Sequence, residues 1–174
     1  GDYSPSLTNY GKELLDQDNY EGAIQAFDKV IEIEPENMGA WYFKGIALDR
    51  QGNYDEAIQA FIKIIDSSYF GTYTHNAWIS LGTILMKQGK YNKALQCCDY
   101  LIGMFSTVED EDAWRLKGEV LSSLGRTADA NEAFAKAEES KDHRANLLKS
   151  SKEQTTFGQP APQQNAQQYA VGDI

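Results

Sequence analysis

The side chains able to do chemistry are few and badly placed for it. His75 and His143 are the only histidines. They lie in different parts of the chain, and neither has the second histidine four residues away that a helical metal site would show. His75 reads as a solvated residue near a helix end. Cys97 and Cys98 are adjacent, so they cannot tie distant parts of the chain together. Lys93, one turn earlier, is the one basic side chain close enough in sequence to favour a thiolate. The acidic run from Glu109 to Asp112 is what the positive end of a helix dipole attracts. The chain holds no G-x-G-x-x-G, no phosphate-binding G-x-x-x-x-G-K-[ST] and no G-x-S-x-G. No catalytic constellation forms, so the expectation is a protein that is not an enzyme and takes no cofactor and no metal.

The elements that would position any site come from an internal repeat. Gly11, Gly45, Gly82 and Gly118 each stand 12 residues before an alanine: Ala23, Ala57, Ala94 and Ala130. Successive glycines are 34, 37 and 36 residues apart, so the extra residues are expected in the connections between units, which tolerate length. Four before each glycine stand Leu7, Trp41, Trp78 and Trp114, and three after it Leu14, Leu48, Leu85 and Leu121. That spacing puts them on one helical face. Tyr20, Tyr54, Tyr91 and Thr127 precede the alanines by three, and Phe27, Phe61, Cys98 and Phe134 follow by four, on a second helix. In that column Cys98 reads as a small core residue, while Cys97 points elsewhere and is expected to be accessible. The polar pairs Asp18-Asn19, Gly52-Asn53, Gly89-Lys90 and Gly125-Arg126 separate the two helices as tight turns.

This pattern resembles the tetratricopeptide repeat, a 34-residue helical hairpin with a W-x2-L-G-x2-Y first helix, an alanine and an aromatic in the second, and a closing proline. Four copies cover residues 4–144, as units 4–37, 38–74, 75–110 and 111–144. Pro35 matches the closing proline in the first; Tyr69, Ser106 and Asp142 hold its place later. The resemblance implies an all-α, right-handed superhelical solenoid of helix-turn-helix hairpins. Stacking buries the apolar face that one hairpin leaves open, and about three repeats are needed for stability. After the fourth unit, Leu148 falls where a fifth copy would place its Trp, but Lys152 takes the glycine position. Residues 145–154 therefore read as a polar C-terminal capping helix. Residues 155–174, rich in Gln with Pro160 and Pro162, have a composition too polar to order itself and read as a flexible tail.

The resemblance also implies where a partner would sit. First helices line the concave face, and its positions carried onto this chain are Asn9 and Lys12; Tyr42, Phe43, Ile46 and Asp49; Asn76, Ile79 and Thr83; and Asp112, Arg115, Leu116 and Glu119. Tyr42, Phe43, Ile46 and Ile79 would form an apolar floor for a protein or peptide segment, with inter-repeat packing as the competing role for each. Members that bind acidic chaperone C-termini use a carboxylate clamp of Lys and Asn in the first repeat, Asn in the second, and Lys and Arg in the third. Here those places hold Thr8, Lys12, Phe43, Asn76 and Ser80, which argues against that ligand.

Composition narrows the partner further. In 174 residues, 16 Lys and Arg face 26 Asp and Glu, for a net charge of −10, unsuited to nucleic acid or an anionic membrane. Adjacent cysteines and the absence of an N-x-S/T sequon favour a reducing, cytoplasmic setting. Gly1 in place of an initiator Met points to a longer natural protein. The function expected is a non-catalytic adaptor or scaffold that binds a protein segment in its groove. The alternatives are a regulatory or substrate-docking segment of a larger enzyme, and a self-assembling scaffold in which the convex surface or the tail, through residues 165–174, contacts another copy.

Overall fold

The computed structural model describes residues 4–67, 71–105 and 110–157. Eight helices follow one another among these residues: α1 (Ser4–Asp16), α2 (Tyr20–Ile33), α3 (Met38–Gln51), α4 (Tyr54–Ile65), α5 (Thr72–Lys87), α6 (Tyr91–Phe105), α7 (Glu111–Ser123) and α8 (Thr127–Phe157). Each packs on its sequence neighbours, and α1 touches α3, α3 touches α5 and α5 touches α7. The first helices thus run side by side, the arrangement of a solenoid of four hairpins.

The turn inside each hairpin is one device used four times. Asp18, Gly52, Gly89 and Gly125 take positive φ, between 58° and 87°. The next residue's N–H then bonds the carbonyl of the leucine column: Asn19 to Leu14, Asn53 to Leu48, Lys90 to Leu85 and Arg126 to Leu121, at 2.8–2.9 Å. This is the six-to-one closure that ends a helix and satisfies an orphan carbonyl. Only the first turn lacks glycine; an aspartate tolerates the left-handed region better than most residues.

Packing explains the glycine column. A Cβ built on Gly11 or Gly45 would stand 2.7 Å from a ring carbon of Phe27 or Phe61, and one on Gly118 only 2.5 Å from Phe134. The facing alanines Ala23, Ala57, Ala94 and Ala130 are buried, so the backbones approach closely and the Phe rings fill the gap. Phe27 and Phe61 are fully buried, each contributing about 3 kcal/mol by transfer from water. In the third unit Cys98 replaces Phe, and Leu116 of α7 reaches over instead, its Cδ2 2.9 Å from a Cβ on Gly82.

A further column lies between units. The residue before each of two glycines is a lysine that pairs with an aspartate on the preceding second helix: Lys44 with Asp28 at 2.6 Å, and Lys117 with Asp99 at 2.7 Å. Both lysines lie over the tryptophan of their own unit, Trp41 and Trp114. At the middle junction the same two positions hold Leu81 and Ile62.

Two expectations are corrected here. The three extra residues of the second interval do not all fall in a connection: α5 begins ten residues before its glycine, where α1, α3 and α7 begin seven before theirs. The insertion adds a helical turn, so the third unit's helix starts at Thr72 rather than after residue 74. Nor is there a separate capping helix over 145–154. α8 runs unbroken from Thr127 to Phe157, because neither glycine nor proline occurs between Gly125 and Gly158 and i,i+4 and i,i+3 pairs such as Lys136–Glu132 and Lys141–Glu138 support it. It therefore takes in three residues assigned to the tail; the rest of the tail, like Tyr69 and Ser106, lies outside the described residues.

Glycine substitutions test the column. Gly45→Ala should lower stability by about 1–3 kcal/mol through overpacking against Phe61. Gly82→Ala should cost less, because it meets the tip of Leu116, and Gly103→Ala, into open space on α6, should raise stability by up to about 1 kcal/mol. Urea midpoints measure the order; equal shifts at the three sites would contradict this packing.

Candidate protein-binding groove

The groove is built from the inward faces of α1, α3, α5 and α7. Residues three before and one after each glycine share that face: Thr8 and Lys12, Tyr42 and Ile46, Ile79 and Thr83, Arg115 and Glu119. The residue two before the glycine is rotated by about 100° from its neighbour and faces the preceding unit. Phe43 stacks on Phe27 of α2 with ring centroids 5.9 Å apart. Leu116 is 5% exposed and belongs to the core cluster with Cys97 and Cys98 of α6. Leu116 is therefore a packing residue and not part of the groove surface, and Phe43 is half-buried between units, serving both. Asn9, in the same column of the first unit, is exposed.

Tyr42 is the centre of an aromatic floor. Its ring lies 5.4 Å from Phe43, 5.6 Å from Tyr73 and 6.0 Å from Phe61. Lys12 stands 4.5 Å over Phe43 from the first unit. Burial pushes the Tyr42 phenol above its ordinary pKa, against the opposing pull of a hydrogen bond with Ser80. Tyr73, which sequence reasoning missed, stands on the extra turn of α5, so the insertion carries a third ring to the floor. Ile46 and Ile79 continue it as half-buried side chains packed on the core.

The polar residues of the groove divide into paired and unpaired. Lys87 of α5 donates to both carboxylate oxygens of Asp49 of α3, at 2.8 and 2.9 Å. Asn76 lies beside His75, Oδ1 3.3 Å from Nδ1, and the Thr83 hydroxyl donates to the Ile79 carbonyl. Arg115 pairs with Glu111 at 2.7 Å and approaches Glu138 at 3.9 Å; Glu111 also takes Arg144 of α8. Asp112 and Glu119 are exposed and, among the described residues, without an ion-pair partner. The end of the groove at α7 therefore carries uncompensated negative charge.

His75 is not the solvated residue expected. Its Nε2 lies 2.7 Å from Asp110 Oδ2, across 35 residues of sequence. Asp110 is 8% exposed and caps α7, its other oxygen accepting the Ala113 N–H at 3.0 Å. Hydrogen bonding to Asp110 raises the His75 pKa, more than partial burial lowers it. Burial alone would raise the Asp110 carboxyl, but the bonds from His75 and Ala113 hold it below its ordinary value. The pair pins the third unit to the fourth.

The cysteines are likewise corrected in part. Cys98 is core as expected, but Cys97 is buried too, and burial pushes the two thiols up to about 11 and about 12. Both stay protonated near neutrality, the reverse of a reactive thiol. Among the described residues no group of histidine, cysteine and carboxylate side chains is arranged to hold a metal. A cleft of about 240 Å³ between α6, α7 and α8 is lined by Trp114, Lys117, Arg126 and Lys136. These cations are already paired with Asp99, Asp129 and Glu132, so the cleft offers no uncompensated charge.

A tetratricopeptide repeat model matches residues 10–68, and a tetratricopeptide repeat-like domain model matches residues 46–155. Among solved structures, a crystal structure of MamA superposes with a TM-score of 0.69 at 22% identity, over 83% of this chain and 81% of that one. MamA residues 41 to the end from Desulfovibrio magneticus RS-1 give 0.64 at 24% identity, over 79% and 75%. At these identities the likeness is one of fold. No curated protein sequence matches the chain.

The His75–Asp110 contact makes the third junction pH-dependent. The contribution of His75 is present in full below its unfolded pKa and is lost as pH rises through its raised folded value. That of Asp110 is present above its unfolded pKa and is lost as pH falls through its depressed one. Stability should therefore fall from mildly acid to mildly alkaline pH, and His75→Gln should flatten that slope in urea titrations. An unchanged slope in the variant would contradict the assignment.

Proposed function

Because the chain belongs to the tetratricopeptide repeat family, we propose that it holds a segment of a partner protein in its concave groove. The fold is that of a protein-interaction or scaffold module, a class generally without catalysis. The observation that carries the groove reading is the half-exposed floor of Tyr42, Tyr73, Ile46 and Ile79 at the junction of the second and third units. Apolar and aromatic surface of this kind, rimmed by polar side chains, is what binding hot spots are made of.

The rim sets the chemistry of the segment. Lys12 stands at one end and the unpaired Asp112 and Glu119 at the other, about three helices apart. A segment with an apolar side chain for the floor and a basic one beside α7 fits this pattern, and one with several carboxylates there does not. The acidic tails held by a carboxylate clamp are disfavoured on the same ground, since Lys12 already covers Phe43 and Ser80 is engaged by Tyr42. No described helix is long and apolar enough to cross a membrane.

Peptides selected from a random displayed library on the 174-residue chain, then titrated against variants, test this reading. Tyr42→Ala should weaken a selected peptide by about 2 kcal/mol, roughly thirtyfold, with helicity retained. Asp112→Lys with Glu119→Lys should weaken the basic peptides selectively. If affinity survives both changes and is abolished by Lys136→Glu in the outer cleft, the groove reading is wrong.

A further inference from the structure

Among the described residues, the large apolar side chains left exposed are Tyr10, Ile33, Tyr100, Leu147 and Leu148. Tyr100 lies against Trp78, ring centroids 4.5 Å apart. The other four divide between the two ends of the array, and the stretch of α8 beyond Ser140 is opposite in charge to the first unit, although Lys141 and Arg144 within it are already held by Glu138 and Glu111. Residues 4–37 carry eight acidic side chains against two basic ones; residues 141–152 carry four basic against one acidic. Ile33 is flanked by Glu32 and Glu34 at the C-terminal end of α2, whose last turn has no basic residue to offset the dipole. Leu147 and Leu148 are followed by Lys149.

α8 shows why its leucines are bare. Its buried side runs through Ala130, Ala133, Ala137 and Ser140; one turn on stands the exposed Arg144, which pairs with Glu111 in the first turn of α7. Beyond that point α8 overshoots its neighbour, and Leu147 and Leu148 continue toward a side where α7 no longer lies.

The junction columns run out at the same two ends. Inside the array, the residue two before a glycine meets the phenylalanine column of the preceding unit, and the residue one before meets the position that follows that column by one: Phe43 on Phe27, Lys44 on Asp28. At the first helix these columns hold Asn9 and Tyr10, both exposed. At the last helix they hold Phe134 and Ala135, half-buried and exposed. A tyrosine opposite an alanine is a complementary pair in size.

We propose that copies of this chain stack head to tail, α1 of one copy on α8 of the next, as each unit stacks on its neighbour. Asn9 and Tyr10 then take Phe134 and Ala135, and the basic overshoot with Leu147 and Leu148 lies along the acidic end of α2 at Ile33. Contact between two overshoots, or between two first units, sets like charges together and is disfavoured. A contact of this heterologous kind is open-ended unless its rotation closes a ring. It leaves the concave groove free, so it stands or falls apart from the groove reading.

Sedimentation velocity of the full 174-residue chain, over a range of concentrations at low salt, tests the stack. The mass should rise above 19.5 kDa with concentration and fall back in high salt. A head-blocked variant, Tyr10→Arg with Ile33→Lys, and a tail-blocked one, Leu147→Glu with Leu148→Glu, should each remain at one chain. Mixed, they should form a species of two chains and no larger, because each retains one working end. Lys149→Glu and Glu34→Lys, single charge changes at exposed positions, serve if circular dichroism shows either double variant misfolded, and should behave alike. A wild type that stays at one chain throughout overturns the proposal, as does a mixture that stays at one chain while the wild type assembles.

Discussion

The close approach of a glycine backbone to a phenylalanine ring within three of the four hairpins is the constraint on which the rest depends. With 2.5–2.8 Å between a hypothetical Cβ and the ring, no other residue fits without moving the helices, and the two helices of a unit are held at one distance and one rotation. Every other column inherits its direction from that: the tryptophans half-buried onto the core, Phe43 and Leu116 backward, Tyr42 and Ile79 into the groove. The third unit shows the alternative solution. With Cys98 in place of phenylalanine the hairpin supplies less volume, and Leu116 from the next unit fills it, coupling the third and fourth units through the core as His75 and Asp110 couple them through charge.

The groove follows from the same geometry plus one irregularity. A perfect repeat would give each first helix the same length and the concave face a uniform lining. The three-residue insertion instead lengthens α5 by a turn, and Tyr73 on that turn joins Tyr42 and Phe43. The aromatic floor therefore lies at one junction, the second, which is also where the ionic Lys–Asp pair of the other two junctions is replaced by Leu81 and Ile62. The aromatic surface of the groove is concentrated where the repeat departs from itself.

Much of the fold was legible in the sequence because its information is periodic. The constant offset from glycine to alanine, the leucine column and the turn residues reported helices, turns and their pairing before any coordinate. The groove was legible in part. Taking Leu116 as a groove residue ignored that adjacent positions on a helix point about 100° apart; the apolar character of Phe43 and Leu116 at one shared offset was the available signal. His75–Asp110 and Tyr73 were not legible, since a contact across 35 residues and a helix start depend on where an insertion is absorbed. The continuity of α8 was legible in the lack of Gly and Pro, but was masked by the expectation that a repeat must end where its period does.

A double-mutant cycle at Gly118 and Phe134 tests the governing constraint most directly, because it asks whether the glycine is required by the ring itself. Four proteins, with Gly or Ala at 118 and Phe or Cys at 134, are unfolded in urea. The account predicts that Gly118→Ala destabilises beside phenylalanine by about 1–3 kcal/mol and becomes neutral, or stabilising by up to about 1 kcal/mol, beside cysteine. The coupling between the two changes should exceed about 1 kcal/mol. An alanine that costs the same in both backgrounds would contradict it, and would place the reason for the glycine column elsewhere than in the ring it faces.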